Sequence, residues 1–154
     1  MATAHIPLPE IPKDEQHLSA NLDEYNVIIM SQSCDLVQNR IEIVLVCPFF
    51  TLSEVGNQNQ FYKSDAGKEN LRRGNQPGYH LLNKCPFEDF GLSDYLVVDF
   101  RNVFGVHFNV LNNLKNTTPK RLRLLPPYRE HLSQAFARFF MRVGLPLDIP
   151  AFTK

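Results

Sequence analysis

The sequence predicts a mainly β protein of the α+β class: a small, strongly bent sheet or barrel followed by one amphipathic helix at the C-terminus. Two observations indicate this fold. Short apolar segments of strand length recur through the middle of the chain, and apolar residues at helical spacing appear only near its end. Helices long enough for βαβ crossovers do not separate the strands, so a doubly wound α/β fold is not expected.

Six segments are predicted as strands. Residues 26–33 and 41–47 contain continuous apolar runs, which are typical of strands buried on both faces. The polar stretch 35–40 between them predicts a hairpin loop that places Cys34 near Ile41. The other four strands are residues 79–82, 95–100, 103–111 and 121–125. The alternating charge and Leu of the last of these segments indicate an exposed edge strand.

Residues 127–143 are predicted as the amphipathic helix. Pro127 suits its first turn, and Gly144 suits the position just after its end. A shorter helix is predicted over residues 65–73, with Ser64 as its N-cap. The apolar stripe of the long helix consists of Leu132, Phe136, Phe139 and Val143. Residues 53–60 and 85–94 are predicted as loops.

The length of 154 residues favours a single domain. Residues 1–24 contain three prolines within a short stretch, which predicts an extended N-terminal arm. Residues 25–154 are predicted as one β-barrel domain that ends with the helix over 127–143. The chain begins without a basic region followed by an apolar one, and its apolar runs fall short of the ~20 residues that span a bilayer. A cytoplasmic protein without membrane contact is therefore expected.

The cysteines indicate neither a disulfide framework nor a metal site. Cys34, Cys47 and Cys85 are an odd number and lack C-x-x-C spacing. If Cys34 pairs near Ile41, Cys47 lies ~20 Å away along the hairpin, too far for a shared metal. No metal and no cofactor is expected.

Charge is unevenly distributed although the whole chain is neutral. Residues 1–26 hold one basic and five acidic residues, whereas residues 115–154 hold eight basic and two acidic residues. The basic end is a solvated surface, a partner for the acidic arm, or a contact for an anionic ligand such as RNA. In the last case the nucleic-acid contacts are Lys120, Arg121 and Arg123.

Two groups of polar residues are candidates for a pocket. Ser31, Gln32, Cys34 and Asp35 crowd the end of the first buried strand, where a barrel would open. Cys34 is a nucleophile if a base lowers the pKa of its thiol, and otherwise a small packed residue. The second group is Asp99 and Arg101, which flank Phe100 and leave one face of the chain together, as a pocket pair or as an ordinary ion pair. Arg101 and Asn102 form either a tight turn or a bulge within one long strand.

Three segments resemble the PemK/MazF-like family of toxin–antitoxin toxins. VIIMSQSCDLVQNRIEIVLVCPFFTLS resembles the central hairpin of that family, in which the second strand ends in a C/A-P-x-T element, here the segment from Cys47 to Thr51. YLVVDFRNVFGV resembles a later strand, and RLRLLPPYREHLSQAFARFFMRVGLP resembles the last strand and C-terminal helix. The resemblance implies a small SH3-like barrel. The chain also resembles bacterial proteins of unassigned activity that share S-Q-x-C-D and P-P-Y-R-E-x-L-x-Q-x-F.

The sequence departs from the family where its ribonucleases carry an Arg shortly before the first of these strands, because residues 21–26 contain none. Thr51 is the residue that stands for the family's active-site Thr. The resemblance thus implies a binding or regulatory module of a bacterial phage-defence or toxin–antitoxin system, with an antitoxin or defence component as partner. One alternative is an endoribonuclease with a site rebuilt from Asp35, Arg40, Thr51 and Arg101. A second alternative is a Cys34-dependent enzyme.

Overall fold

A computed structural model describes residues 2–3, 24–38, 40–87, 90–118 and 120–141. It shows an α+β protein with an antiparallel sheet and several helices. More of the described residues lie in helices than in strands, so the expectation of a mainly β chain is wrong. Within the described residues the sheet is not closed into a barrel.

The sheet has six strands: β1 Ala2–Thr3, β2 Asn26–Ile29, β3 Ile43–Thr51, β4 Tyr79–Leu82, β5 Leu96–Asp99 and β6 Phe104–His107. The α-helices in the described ranges are α1 Ser33–Val37, α2 Leu52–Gln58, α3 Asp65–Arg72, α4 Phe108–Thr117 and α5 Tyr128–Phe140. Two short 3₁₀-helices cover Gln60–Lys63 and Phe100–Asn102.

The nine-residue strand β3 is the centre of the sheet. On one side it pairs with β2, which pairs in turn with β1. On the other side its first half pairs with β6, and its second half pairs with β5, followed by β4. One strand, β3, is therefore shared by both halves of the sheet.

The predicted hairpin of the first two long strands is confirmed. Ile29 lies opposite Val46, and this register, if continued, would place Cys34 opposite Ile41. The chain leaves the ladder after Met30, whose N–H still donates to the carbonyl of Leu45, and forms α1. Cys34 is therefore in a helix, and the predicted pairing with Ile41 is wrong.

The segment from β5 to β6 decides between the turn and the bulge at Arg101. Val98 lies opposite Phe49, and Phe104 lies opposite Val46. Six residues of this segment therefore run alongside only three of β3. The surplus forms the 3₁₀-helix over Phe100–Asn102, so the chain makes a tight turn and then rejoins the same strand.

Helices cover the sheet on both faces, in three apolar clusters. On one face, α5 places Leu132, Phe136 and Phe139 against a cluster that includes Cys47 and Phe100. The opposite face is covered in two places. There α4 packs near Val44, Val46 and Val106, while α2, α3 and the Gln60–Lys63 turn pack near Val97.

Three predicted elements are wrong. Residues 53–60 were expected as a loop, but α2 forms there because Thr51 and Glu54 make a reciprocal capping box and Val55 is buried. The alternation over 103–111 holds only as far as His107. That residue caps α4 by accepting the N–H of Asn109, and the apolar residues beyond it meet the core at helical spacing.

The third error concerns residues 121–125, which form no strand. Leu124 packs against the cluster beneath α5 instead of alternating along a sheet edge.

Two helix predictions are confirmed. Ser64 caps α3 by accepting the N–H of Gly67, and Gly74 follows the helix with a φ of 70°. The α5 helix follows Pro127 as predicted. The helix was predicted to extend to Val143, but α5 ends at Phe140 with Met141 as its C-cap, so the predicted end is wrong. Gly144 and most of the N-terminal arm lie outside the described residues.

Candidate functional site

A hydrogen-bonded group of charged and polar side chains lies where β5 ends. Asp99 is the last residue of β5, and its carboxylate accepts the backbone N–H of Arg101 at 3.0 Å, which fixes the turn. The same carboxylate accepts Nε and Nη2 of Arg101 at 2.9 and 2.8 Å. Asn102 adds a fourth hydrogen bond through Nδ2 at 3.0 Å. Asp99 is thus a buried carboxylate with a full set of donors.

The two partners of the Asp99–Arg101 ion pair differ in their exposure to solvent. The side chain of Asp99 is 4% exposed, whereas that of Arg101 is 52% exposed. Hydrogen bonding to Asp99 raises the pKa of Arg101 above its ordinary value, although partial burial opposes this. The guanidinium is consequently a permanent cation that covers the carboxylate and faces outward.

Tyr79 holds the guanidinium from a second side. It lies directly opposite Asp99 in the β4–β5 ladder. The guanidinium carbon of Arg101 stands 4.3 Å from the centroid of the Tyr79 ring, and Nη2 also donates to the Tyr79 hydroxyl. Tyr62 packs edge-on against Tyr79, with centroids 5.7 Å apart. These contacts restrict both the position and the orientation of the cation.

Gly78 makes room for this arrangement. A Cβ at Gly78 would stand 2.9 Å from Cγ and Cδ of Arg101, closer than van der Waals contact allows. The backbone of Gly78 also accepts the N–H of Phe100. The turn before β4 therefore approaches the Arg101 side chain at a distance that suits glycine alone.

Thr51, which stands for the family's active-site Thr, has a structural role here. Its hydroxyl donates to Oε2 of Glu54 at 2.7 Å and accepts the Glu54 N–H at 3.2 Å. Its backbone N–H donates to the same carboxylate. It lines a cavity of about 250 Å³ together with Asn26, Phe50 and Glu54. Thr51 thus begins α2 at the floor of a small cleft.

The Ser31–Asp35 group lies at the other end of β3. Ser31 accepts the N–H of Leu45 through its Oγ at 2.9 Å and so extends the hairpin. Cys34 is exposed in α1, and its thiol stands 3.5 Å from Oε1 of Gln32. Within the described ranges, no hydrogen bond joins a histidine or a basic side chain to Cys34. The sequence predicts Cys34 as either a small packed residue or an activated nucleophile. In the structure its thiol is exposed to solvent.

The four residues of the rebuilt ribonuclease site do not meet. Asp35 and Arg40 precede β3, whereas Thr51 is its last residue, a separation of roughly 26 Å along the strand. Arg101 lies on a different face from Thr51. Thr51 pairs with Leu96, which belongs to the cluster beneath α5, whereas Asp99 and Tyr79 lie on the Val97 side.

The basic residues proposed for nucleic-acid contact lie side by side. Lys120, Arg121 and Arg123 are exposed in the irregular segment before α5, and Leu124 anchors this segment beneath α5. We name residues 120–123 the basic segment. Among the described residues, no three His, Cys, Asp or Glu side chains converge as ligands of a metal.

Sequence reasoning missed Tyr79, Tyr62, Gly78 and Glu54. Pairing the predicted strands 79–82 and 95–100 as a ladder would have placed Tyr79 on the Asp99 face, but nothing local gives that register. Glu54 had a local signal, because T-x-x-E at Thr51 is a capping-box pattern. Its polar surroundings favoured a loop instead.

Comparisons with other proteins do not extend this list. No family model matches the chain, and neither the curated proteins nor the solved structures include a significant match. In the described part of the chain, no helix combines the length and the apolar character needed to cross a membrane. The resemblance to PemK/MazF-like proteins remains a prediction from the sequence.

Proposed function

We propose that this protein is a divergent PemK/MazF-like binding or regulatory module of a bacterial defence or toxin–antitoxin system, without the ribonuclease site of that family. Its antiparallel sheet, shared strand β3 and C-terminal helix would then be an opened form of the SH3-like barrel that the resemblance implies. It acts by binding RNA together with a protein partner, an antitoxin or another component of the system, and cleaves no bond.

The single observation that carries this proposal is the hydrogen bonding of the Thr51 side chain. Its hydroxyl is used by the capping box with Glu54. No basic side chain is hydrogen-bonded to it within the described residues. The Glu54 carboxylate is placed to accept the Thr51 proton, but a catalytic hydroxyl also needs a cation that stabilises the developing charge. Arg101, a strongly held cation, lies across the sheet from it, and Arg40 lies at the other end of β3.

RNA is the ligand that the charge distribution favours. The basic segment carries Lys120, Arg121 and Arg123 within four residues, and all three are exposed. Because Leu124 is packed into the core, the backbone of this segment is anchored while its cationic side chains face solvent. Such a surface binds the phosphate backbone without sequence preference, and its affinity falls as salt rises.

The test uses one protein preparation for two measurements. Single-stranded and structured RNA are incubated with the full chain, and cleavage is followed on denaturing gels. Binding of the same RNAs is followed by fluorescence anisotropy at low and moderate salt. We expect intact RNA and salt-dependent binding. RNA cleavage that disappears in Thr51→Val or Arg101→Gln would contradict the proposal and favour the rebuilt ribonuclease, while cleavage lost in Cys34→Ser would favour the cysteine enzyme.

A matched pair of variants tests the basic segment. The triple variant Lys120→Ala, Arg121→Ala, Arg123→Ala should bind RNA at least tenfold more weakly, since three phosphate contacts are removed. The control triple Lys68→Ala, Arg73→Ala, Lys84→Ala removes the same charge from exposed positions elsewhere and should change affinity far less. Equal losses in both triples would show that net charge, and not this segment, binds RNA. Genes adjacent to this one that encode an antitoxin or a large ATPase would support the partner assignment.

A further inference from the structure

We propose that Arg101 and Tyr79 form a binding site for the phosphate group of a small molecule, on the Val97 side of the sheet. This inference does not depend on the RNA-binding function. It rests on three observations. Arg101 and Tyr79 have hydrogen-bond donors without a protein acceptor among the described residues, Arg101 is exposed whereas Asp99 is buried, and Gly78 approaches the Arg101 side chain closely.

The unused donors follow from a count of hydrogens on Arg101. A guanidinium carries five N–H donors, one on Nε and two on each terminal nitrogen. Nε and one hydrogen of Nη2 bind Asp99, and the other hydrogen of Nη2 binds the Tyr79 hydroxyl. Both hydrogens of Nη1 are without a protein acceptor among the described residues.

Tyr79 supplies a further donor beside Nη1. Its hydroxyl oxygen accepts from Nη2, so its own proton is available, and no acceptor for it lies within the described residues. Burial raises the pKa of Tyr79, an effect that Arg101 only partly opposes, so the hydroxyl is protonated at neutral pH. The guanidinium carbon lies 4.3 Å from the centroid of the Tyr79 ring, and the Tyr79 hydroxyl contacts Nη2.

This geometry favours phosphate over carboxylate. A planar carboxylate binds best to the coplanar pair of Nε and Nη2, and Asp99 already occupies that edge. The remaining donors are Nη1 and the Tyr79 hydroxyl, which lie on two different side chains and can bind separate oxygens of a phosphate group. The charge of Asp99 lies behind the guanidinium, with its side chain 4% exposed, so an approaching anion meets the cation first.

Preorganisation explains why such a small site binds a ligand. Asp99, the Tyr79 ring and the close approach of Gly78 hold the guanidinium in one place. Ordering a free Arg side chain costs conformational entropy, and here folding has already met that cost. A surface ion pair would not need a buried carboxylate, a stacked ring and a glycine.

The experiment follows the Arg101 Nε–Hε signal in ¹H–¹⁵N spectra of the full chain at constant ionic strength. Inorganic phosphate, ribose 5-phosphate and acetate are titrated separately. We expect both phosphates to shift the signal saturably, with dissociation constants on the order of 1–10 mM, and acetate to bind at least tenfold more weakly. Tighter binding of ribose 5-phosphate would identify a phosphate ester as the ligand, and equal binding would identify free phosphate.

Variants make the proposal falsifiable. Tyr79→Phe keeps the stacked ring and should weaken phosphate binding by about fivefold to tenfold, the usual effect of one hydrogen bond. Arg101→Gln lacks the reporter signal, so its titration is followed by the backbone amide signal of Tyr79. This variant should lose phosphate binding, while Arg73→Gln should leave it unchanged. The basic-segment triple should also keep full phosphate affinity, which separates this site from the RNA proposal. An unshifted Arg101 signal, equal binding of acetate, or full affinity in Tyr79→Phe would overturn the proposal.

Discussion

The ring of Phe100 meets the ring of Phe136 edge-on, with centroids 5.4 Å apart and an interplanar angle of 78°. Phe100 follows β5 and is fully buried, while Phe136 belongs to α5. This pair therefore joins the turn that carries Arg101 to the C-terminal helix. Phe139 packs against the same ring at 6.1 Å.

Phe136→Ala should destabilise the protein by about 3 kcal/mol, because it removes this aromatic contact and leaves a cavity beneath α5. A domain of this size has only ~5–15 kcal/mol of stability. Urea denaturation measures the loss. Arg138→Ala is the matched control on an exposed position of α5, and it should change stability by less than ~0.5 kcal/mol. An unchanged midpoint for Phe136→Ala would indicate that the stripe is a docking surface and not part of the core.

Thr51→Ala should destabilise the protein by about 1 kcal/mol, since it removes the N-cap of α2. Thr51→Ser keeps the hydroxyl and should retain most of the stability. Thermal or urea denaturation of both variants tests this role. If Thr51→Ala is as stable as the wild type, the capping box does not stabilise α2.

The three cysteines should react with a thiol reagent in order of exposure. Cys34 is exposed, Cys85 is half-buried and Cys47 is buried, and all three are free. Burial, followed by the nearby charge of Asp99, raises the pKa of Cys47 to about 12, so its reactive thiolate is scarce. Native protein should show a fast phase from Cys34, and Cys47 should react only on unfolding. Cys34→Ser should remove the fast phase, and a total below three thiols in denatured protein would contradict the prediction.

Stability should fall as the pH drops below the ordinary pKa of histidine, about 6.5. Burial, followed by the charge of His131, lowers the pKa of His80, so the unfolded chain takes up this proton at a higher pH than the folded protein does. The contribution of His80 is complete above about pH 6.5 and decreases as the pH falls towards the folded-state pKa.

Urea denaturation between about pH 8 and pH 5 measures this slope. His80→Phe, which keeps a ring against Phe100, should flatten it, and His131→Gln should flatten it less. Parallel stability curves for wild type and His80→Phe would show that His80 does not contribute.

Several elements were predictable because their determinants are local. Ser64 and Gly74 bracket α3 within the sequence, and the stripe of α5 is visible as a repeat of apolar residues. The hairpin of β2 and β3 follows from two apolar runs and a polar connection. The candidate site was predictable in part, because the adjacency of Asp99 and Arg101 already indicates an ion pair.

The rest depended on which residues lie opposite each other across the sheet. In the sequence, the alternation of apolar residues continues past His107 as if the strand went on. The structure forms α4 there, because Phe108 and Leu111 contact the core at helical spacing. In the same way, the strand register brings Tyr79 to Asp99, and no local pattern encodes that register. By itself the sequence determined where strands and helices of strong local character begin. The tertiary structure decided their register and faces, because both depend on burying apolar area between segments that are distant in the chain.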